Sequence, residues 1–280
     1  MVLESLFNPF TVKKKPWEMF LAGILYSVVG LTLSYYVFRE VSGLLTVFLI
    51  VMASLPLVYT TIKNEEELDL KSDKEWKLLK EHTKVLIFLM FLFLGITTAL
   101  TFAYVFLPAE TVDTVFSLQQ QAILNVNSNV QGNVTQIGLF SKIFVNNLKV
   151  LFFCVIFSFL YGTGAIFILT WNASVVATAM GNLFKTEIAK GASLVGLPSL
   201  ASYFGAASFS FFRYMTHGLL EMASYFVAGL AGGIISIALI KHNLKEERVF
   251  IDALDLILIS LGLLLIAGLV EVYITPVLFS

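Results

Sequence analysis

Four polar residues recur at intervals of four: Arg213, His217, Glu221 and Tyr225. On one continuous helix that spacing puts them on a single, slowly drifting face. The surrounding residues are apolar, so the chemistry on offer is that of ions in a poor solvent for ions. Arg213 and Glu221 bracket His217 and are expected to neutralise each other, forming a buried ionic stripe at the end of a span. Ionisable residues are costly inside a bilayer and are functional candidates wherever they occur there. His217 and Glu221 also have the spacing of a metal-ligand pair. Two ligands make no site, however, and the chain has three histidines in all. The same pair has the types of a base and an acid. No Walker loop, dinucleotide fingerprint, nucleophile elbow or HExxH pair accompanies it. No catalytic residue, metal or cofactor is therefore assigned, and the chain is expected not to be an enzyme.

Three asparagines widen the polar set. Asn146 and Asn147 stand where a polar stretch meets an apolar one, and Asn172 follows the next apolar block. Each has the type to cap a helix end or to bond across helices, and both roles stay open. A carboxylate turned towards lipid would cost on the order of 3 kcal/mol near the bilayer centre. His217 and Glu221 are therefore expected to face the protein interior, against Asn172 or against Asn146 and Asn147. Directly after the stripe, Ala228, Gly229, Gly232 and Gly233 pair small residues four apart, which lets a second helix approach backbone to backbone. Gly162 and Gly164 suggest the same kind of packing.

The elements that must position these residues follow from composition. Of 280 residues, 58% are hydrophobic, 13% are charged and 26 are Phe. Soluble domains carry roughly a quarter charged residues, so the apolar excess must face something other than water. It comes in blocks near the roughly 20 residues a spanning helix needs. The alternating strands of about 10 residues that mark a β-barrel are absent. The expected fold is all-α, a polytopic transmembrane helix bundle. A net charge of −1 suggests no nucleic-acid partner, and the single Cys154 forms no internal disulfide.

The apolar blocks place spans at 18–38, 41–59, 85–107, 144–170, 216–240 and 253–277. A Gly/Ser-rich run at 192–212 reads as an interrupted span, and 173–184, too short to cross, as a re-entrant half-helix. That makes about seven spans with one re-entrant or broken helix. Lys63 to Lys84 is the strongly charged stretch, and Ser72 to Glu75 fits a capping box that opens a short amphipathic helix. Residues 1–84 thus form an N-terminal hairpin with that helix, and 85–280 a five-span core. Lys13, Lys14 and Lys15 precede a block with no cleavage site, an uncleaved first helix. The basic residues, including Lys241, Lys245 and Arg248, put the N-terminus in the cytoplasm and the C-terminus outside. The 108–143 stretch then lies outside, with the glycosylation sequon at Asn133. A second sequon, at Asn172, falls inside. Arg213, at an outer end, runs against the charge rule.

Several of these residues match a known pattern. Asn146 and Asn147 precede Phe159-Leu160-Tyr161-Gly162-Thr163-Gly164, then Trp171-Asn172. Much later come Thr216-His217-Gly218-Leu219-Leu220-Glu221 and the Ala/Gly-rich run 228–233. In this order and spacing, from about residue 85 to the C-terminus, the chain resembles the stage II sporulation protein M family. Thr216 stands where the family usually has Pro and Ala173 where it usually has Gly. The hairpin before residue 85 is an addition. The resemblance implies an integral membrane fold. It also implies the role of the name-giving member, a membrane scaffold that works with a peptidoglycan hydrolase and an inhibitory partner during engulfment. The function expected here is a non-enzymatic scaffold that positions envelope or membrane partners. The alternative is a channel or transporter for an ion, small polar solute or lipid, with His217 and Glu221 in its pathway. The expected partners are the lipid bilayer, further copies of the chain or other membrane proteins.

Overall fold

The computed structural model of the chain describes residues 16–69, 75–130, 135–161, 164–195, 199–240 and 247–279. Lys13 to Lys15, Ser72, Asn133, Gly162, Lys241 and Lys245 lie outside them. The described residues are almost entirely helical, with no strand among them. In hydrocarbon every backbone N–H and C=O must be paired within its own segment, and long apolar blocks therefore fold as helices.

The helices are α1 (Trp17–Val37), α2 (Ser42–Asp69), α3 (Glu75–Phe106), α4 (Ala109–Val115), α5 (Ser117–Val130), α6 (Gln136–Tyr161), α7 (Ala165–Val195), α8 (Leu200–Ile240), α9 (Glu247–Leu269) and α10 (Thr275–Leu278). Seven helical segments are long and apolar enough to cross a membrane, matching the expected number. The charged stretch holds no separate amphipathic helix among the described residues. Its first part prolongs α2, and from Glu75 onward it is the opening of α3. The polar stretch after Pro108 carries α4 and α5. These tuck Val112, Val115, Phe116 and Gln119 into the bundle. Gln119 donates to the Gly43 carbonyl at 3.4 Å and to Ser174 Oγ at 3.2 Å.

Between residues 171 and 216 the path differs from expectation. The presumed half-helix 173–184 is the middle of α7, a continuous helix of 31 residues. The presumed interrupted span is the first part of α8, continuous over 41 residues. At 1.5 Å per residue α8 is about 60 Å long, roughly twice the hydrocarbon thickness. α6 instead ends at Tyr161 and α7 opens at Ala165, inside the expected span 144–170. There the Ala165 N–H donates to Ser158 Oγ at 3.3 Å. Glycine and serine content suggested breaks, but helices in lipid tolerate both because no water competes for the backbone.

α8 is the hub. It packs most extensively against α9 and α6, and also against α7. Small residues set the closest approaches. A Cβ on Gly232 would lie 2.5 Å from the Val155 carbonyl oxygen, and one on Gly229 would lie 2.9 Å from Ala165 Cβ. Ala228 and Gly233 are buried beside them. Gly164, at the α6–α7 turn, abuts the Phe157 carbonyl. A second seam joins α1 to α3. Gly23 faces the Leu92 carbonyl at 2.5 Å from its would-be Cβ, and Gly95 faces the backbone of Phe20.

Candidate functional site: a polar ladder between the last two spans

Arg213, His217 and Glu221 share one face of α8, as their spacing requires, and that face meets the final span. The final span opens its α-helical register just there, into a π-helical turn over Val270–Ile274. Pro276 follows near the start of α10. Because Pro lacks an N–H and its ring crowds the preceding turn, the ordinary helical ladder cannot continue through it unchanged. Single π turns inside helices are frequent at functional sites. Here the wider turn brings Glu271 and Thr275 to the α8 face.

Three contacts follow in sequence. Arg213 Nη1 donates to the Phe279 carbonyl at 3.0 Å, with its guanidinium 5.9 Å over the Phe209 ring. His217 Nδ1 lies 3.2 Å from Thr275 Oγ1. The Glu221 carboxyl lies beside the Glu271 carboxyl. Each step of four along α8 is answered by a step of four backwards along the last span, which is the register of an antiparallel pair. Thr275 Oγ1 also donates to the Val270 carbonyl at 3.1 Å. A hydroxyl has one proton, so towards His217 it accepts and Nδ1 is the donor.

α6 supplies the third wall. Asn147 Nδ2 donates to Glu221 Oε1, and Asn146 Nδ2 donates to Asn147 Oδ1 at 3.3 Å. Both asparagines lie well inside α6, not at its end, and neither caps it. Asn147 bonds across helices. Asn146 is exposed beside it. Tyr225 ends the stripe, 2% exposed.

Two expectations are corrected. Arg213 and Glu221 do not pair among the described residues. Eight positions separate them, about 12 Å along a helix axis, so each finds its partner on α6 or on the last span. Asn172 does not join the cluster either. It lies inside α7, and its Nδ2 is buried with no hydrogen-bond partner among the described residues. Glu271 is the residue that sequence reasoning missed. Its signal was present, as a carboxyl within the apolar span Phe250–Leu278.

With the site laid out, the comparisons with known proteins decide the family. The family model described as stage II sporulation protein M matches residues 84–276. The chain belongs to the stage II sporulation protein M family. The match takes in Asn147, the α8 stripe, Glu271 and Thr275, so all of the ladder except the Phe279 carbonyl lies within the stage II sporulation protein M region. A related chain is an uncharacterized protein of Methanocaldococcus jannaschii. It is 28% identical over 173 residues, which are 59% of this chain and 84% of that protein. No solved structure matches.

Proposed function

We propose that this multi-pass membrane protein is a non-enzymatic scaffold whose last spans are clamped to one another so that envelope or membrane partners are held in a fixed arrangement. The observation that carries this reading is the closure of the ladder. The ionisable groups on the α8 stripe spend their hydrogen bonds on α6 and the last span. Groups already paired in a low-dielectric setting hold helices in register, because unpairing any of them leaves a costly orphan. The basic-residue asymmetry supports an orientation with the N-terminus in the cytoplasm and the C-terminus outside.

A second reading has its own observation. Two carboxyls side by side at a π turn are also a device for moving a proton, and that favours transport with His217 and Glu221 in the pathway. Flux separates the two. Purified protein in vesicles containing a pH dye is driven by a potassium–valinomycin potential. The scaffold reading expects proton entry equal to that of protein-free vesicles. Flux that Glu221→Gln abolishes overturns it.

A further inference from the structure

α6 is the least buried of the seven candidate spans. Its inner face carries Leu151, Cys154 and Ser158, which are buried. Its outer face carries Asn146, Lys149 and Phe153, spaced three and four apart and all exposed. Lys149 stands 13 residues after Gln136 and 12 before Tyr161, so about 18–20 Å of helix lies on either side of it. The hydrocarbon core is about 30 Å thick. Lys149 is therefore too deep to lift its ammonium into the headgroups, as lysines near helix ends do. It forms no ion pair among the described residues.

At that depth lipid offers hydrocarbon alone, and the headgroup phosphates lie half a bilayer away. An exposed ammonium with an exposed amide in mid-span is costly against acyl tails, and it marks a face that protein covers. Among the described residues no exposed carboxyl stands at that depth to meet Lys149 from a second copy. Glu221 and Glu271 are turned into the ladder. Asp255 is exposed, but it stands five residues from the start of the last span at Phe250, near a membrane surface. Two copies joined along α6 by an axis normal to the membrane would set Lys149 against Lys149, like charge on like.

We infer that the outer face of α6 docks a membrane-spanning helix of another protein, one with a carboxylate at its middle that Lys149 and Asn146 receive. A carboxylate has an oxygen for the ammonium and another for the amide hydrogen that Asn146 does not spend on Asn147. Phe153, one turn further on, gives the rest of that helix an apolar surface to lie against. For its meaning the inference rests on the scaffold reading, since it names the face and the chemistry that hold a partner. Its test is separate. Flux in the vesicle assay strikes the scaffold reading alone, and absent docking strikes the inference alone and leaves a scaffold with another face.

The full-length protein, with Phe153 replaced by the photo-crosslinker p-benzoylphenylalanine, is placed in dioleoyl-phosphatidylcholine vesicles. The probes are leucine–alanine helices of about 21 residues, alike except for a central Glu, Lys or Leu. The Glu helix is expected to cross-link about 3- to 20-fold more than the Leu helix, the range for polar contacts between spans. Lys149→Leu should remove that preference while the melting temperature holds, because the side chain is exposed. Lys149→Glu should pass the preference to the Lys helix. Equal capture of the Glu and Leu helices by the otherwise unaltered protein overturns the inference. So does a preference that survives Lys149→Leu or fails to follow the charge in Lys149→Glu. A cross-linked dimer of the chain that forms without any probe also overturns it, and assigns the face to a second copy.

Discussion

The carboxyl of Glu221, on α8, lies beside the carboxyl of Glu271, on the π turn of the last span, with Asn147 of α6 donating to Glu221 from the side. If the pair is a clamp, Glu221→Gln keeps an acceptor for Asn147 and brings its own donor for Glu271. The expected loss is small, about 1 kcal/mol or less. Glu221→Leu strands both partners and should cost roughly 2–4 kcal/mol. Thermal unfolding in detergent reads both. A Glu221→Gln protein as unstable as Glu221→Leu would show that the carboxyl proton itself is indispensable to the fold. A double-mutant cycle with Glu271→Gln should return a coupling of about 0.5–3 kcal/mol, as for residues in direct contact.

Thr275→Val keeps shape while removing the hydroxyl that accepts from His217. His217 is half-buried and loses its partner, so a destabilisation of about 1–2 kcal/mol is expected. His217→Leu in the same background should then add little, because the two changes delete one interaction. Additive losses would mean that His217 is held by something other than Thr275.

The glycines separate close packing from incidental sequence. Gly232→Ala drives a methyl into the Val155 carbonyl, and Gly23→Ala drives one into the Leu92 carbonyl. Each should destabilise by roughly 1–3 kcal/mol, the usual cost of overpacking. Gly205 and Gly218 have nothing within 4 Å of a would-be Cβ. Alanine there should be neutral or stabilise α8 by up to about 1 kcal/mol through helix propensity. Equal melting temperatures across the four variants would remove the argument for backbone-to-backbone seams.

Orientation is read by single cysteines in a Cys154→Ser background, placed at position 72 and at the exposed Asp113. An impermeant thiol reagent on intact cells should label Cys at 113 and spare Cys at 72. The reverse pattern inverts the topology.

The spans were legible because long apolar blocks leave the backbone no alternative to helix. The ladder was half legible. Spacing alone set Arg213, His217 and Glu221 on one face, but on the last span only Glu271 and Thr275 repeat that step in polar side chains, and Arg213 meets a backbone carbonyl there. Glu271 and Thr275 face α8 where the register widens at Val270–Ile274, and Pro276 marks a disturbed helix there without saying which residues it turns to α8. Asn147 was left open between a cap and a bond across helices, since the apolar pattern suggested a helix starting at 144 where α6 begins at Gln136. In α7, Gly181 lies within the stretch 173–184 that was expected to be a separate half-helix. It makes room for the Tyr104 ring, which a Cβ would approach to 2.5 Å.

The crossing of α1 and α3 at Gly23 and Gly95 has a meaning in time. A ribosome adds about 5–20 residues per second, so roughly 4 to 14 s pass between the making of one glycine and the other. α2 is completed only part-way through that interval, and the Gly23 face of α1 still lacks the helix it is shaped for. Docking of the first three helices is therefore an event that follows insertion, and it begins no earlier than the emergence of Gly95.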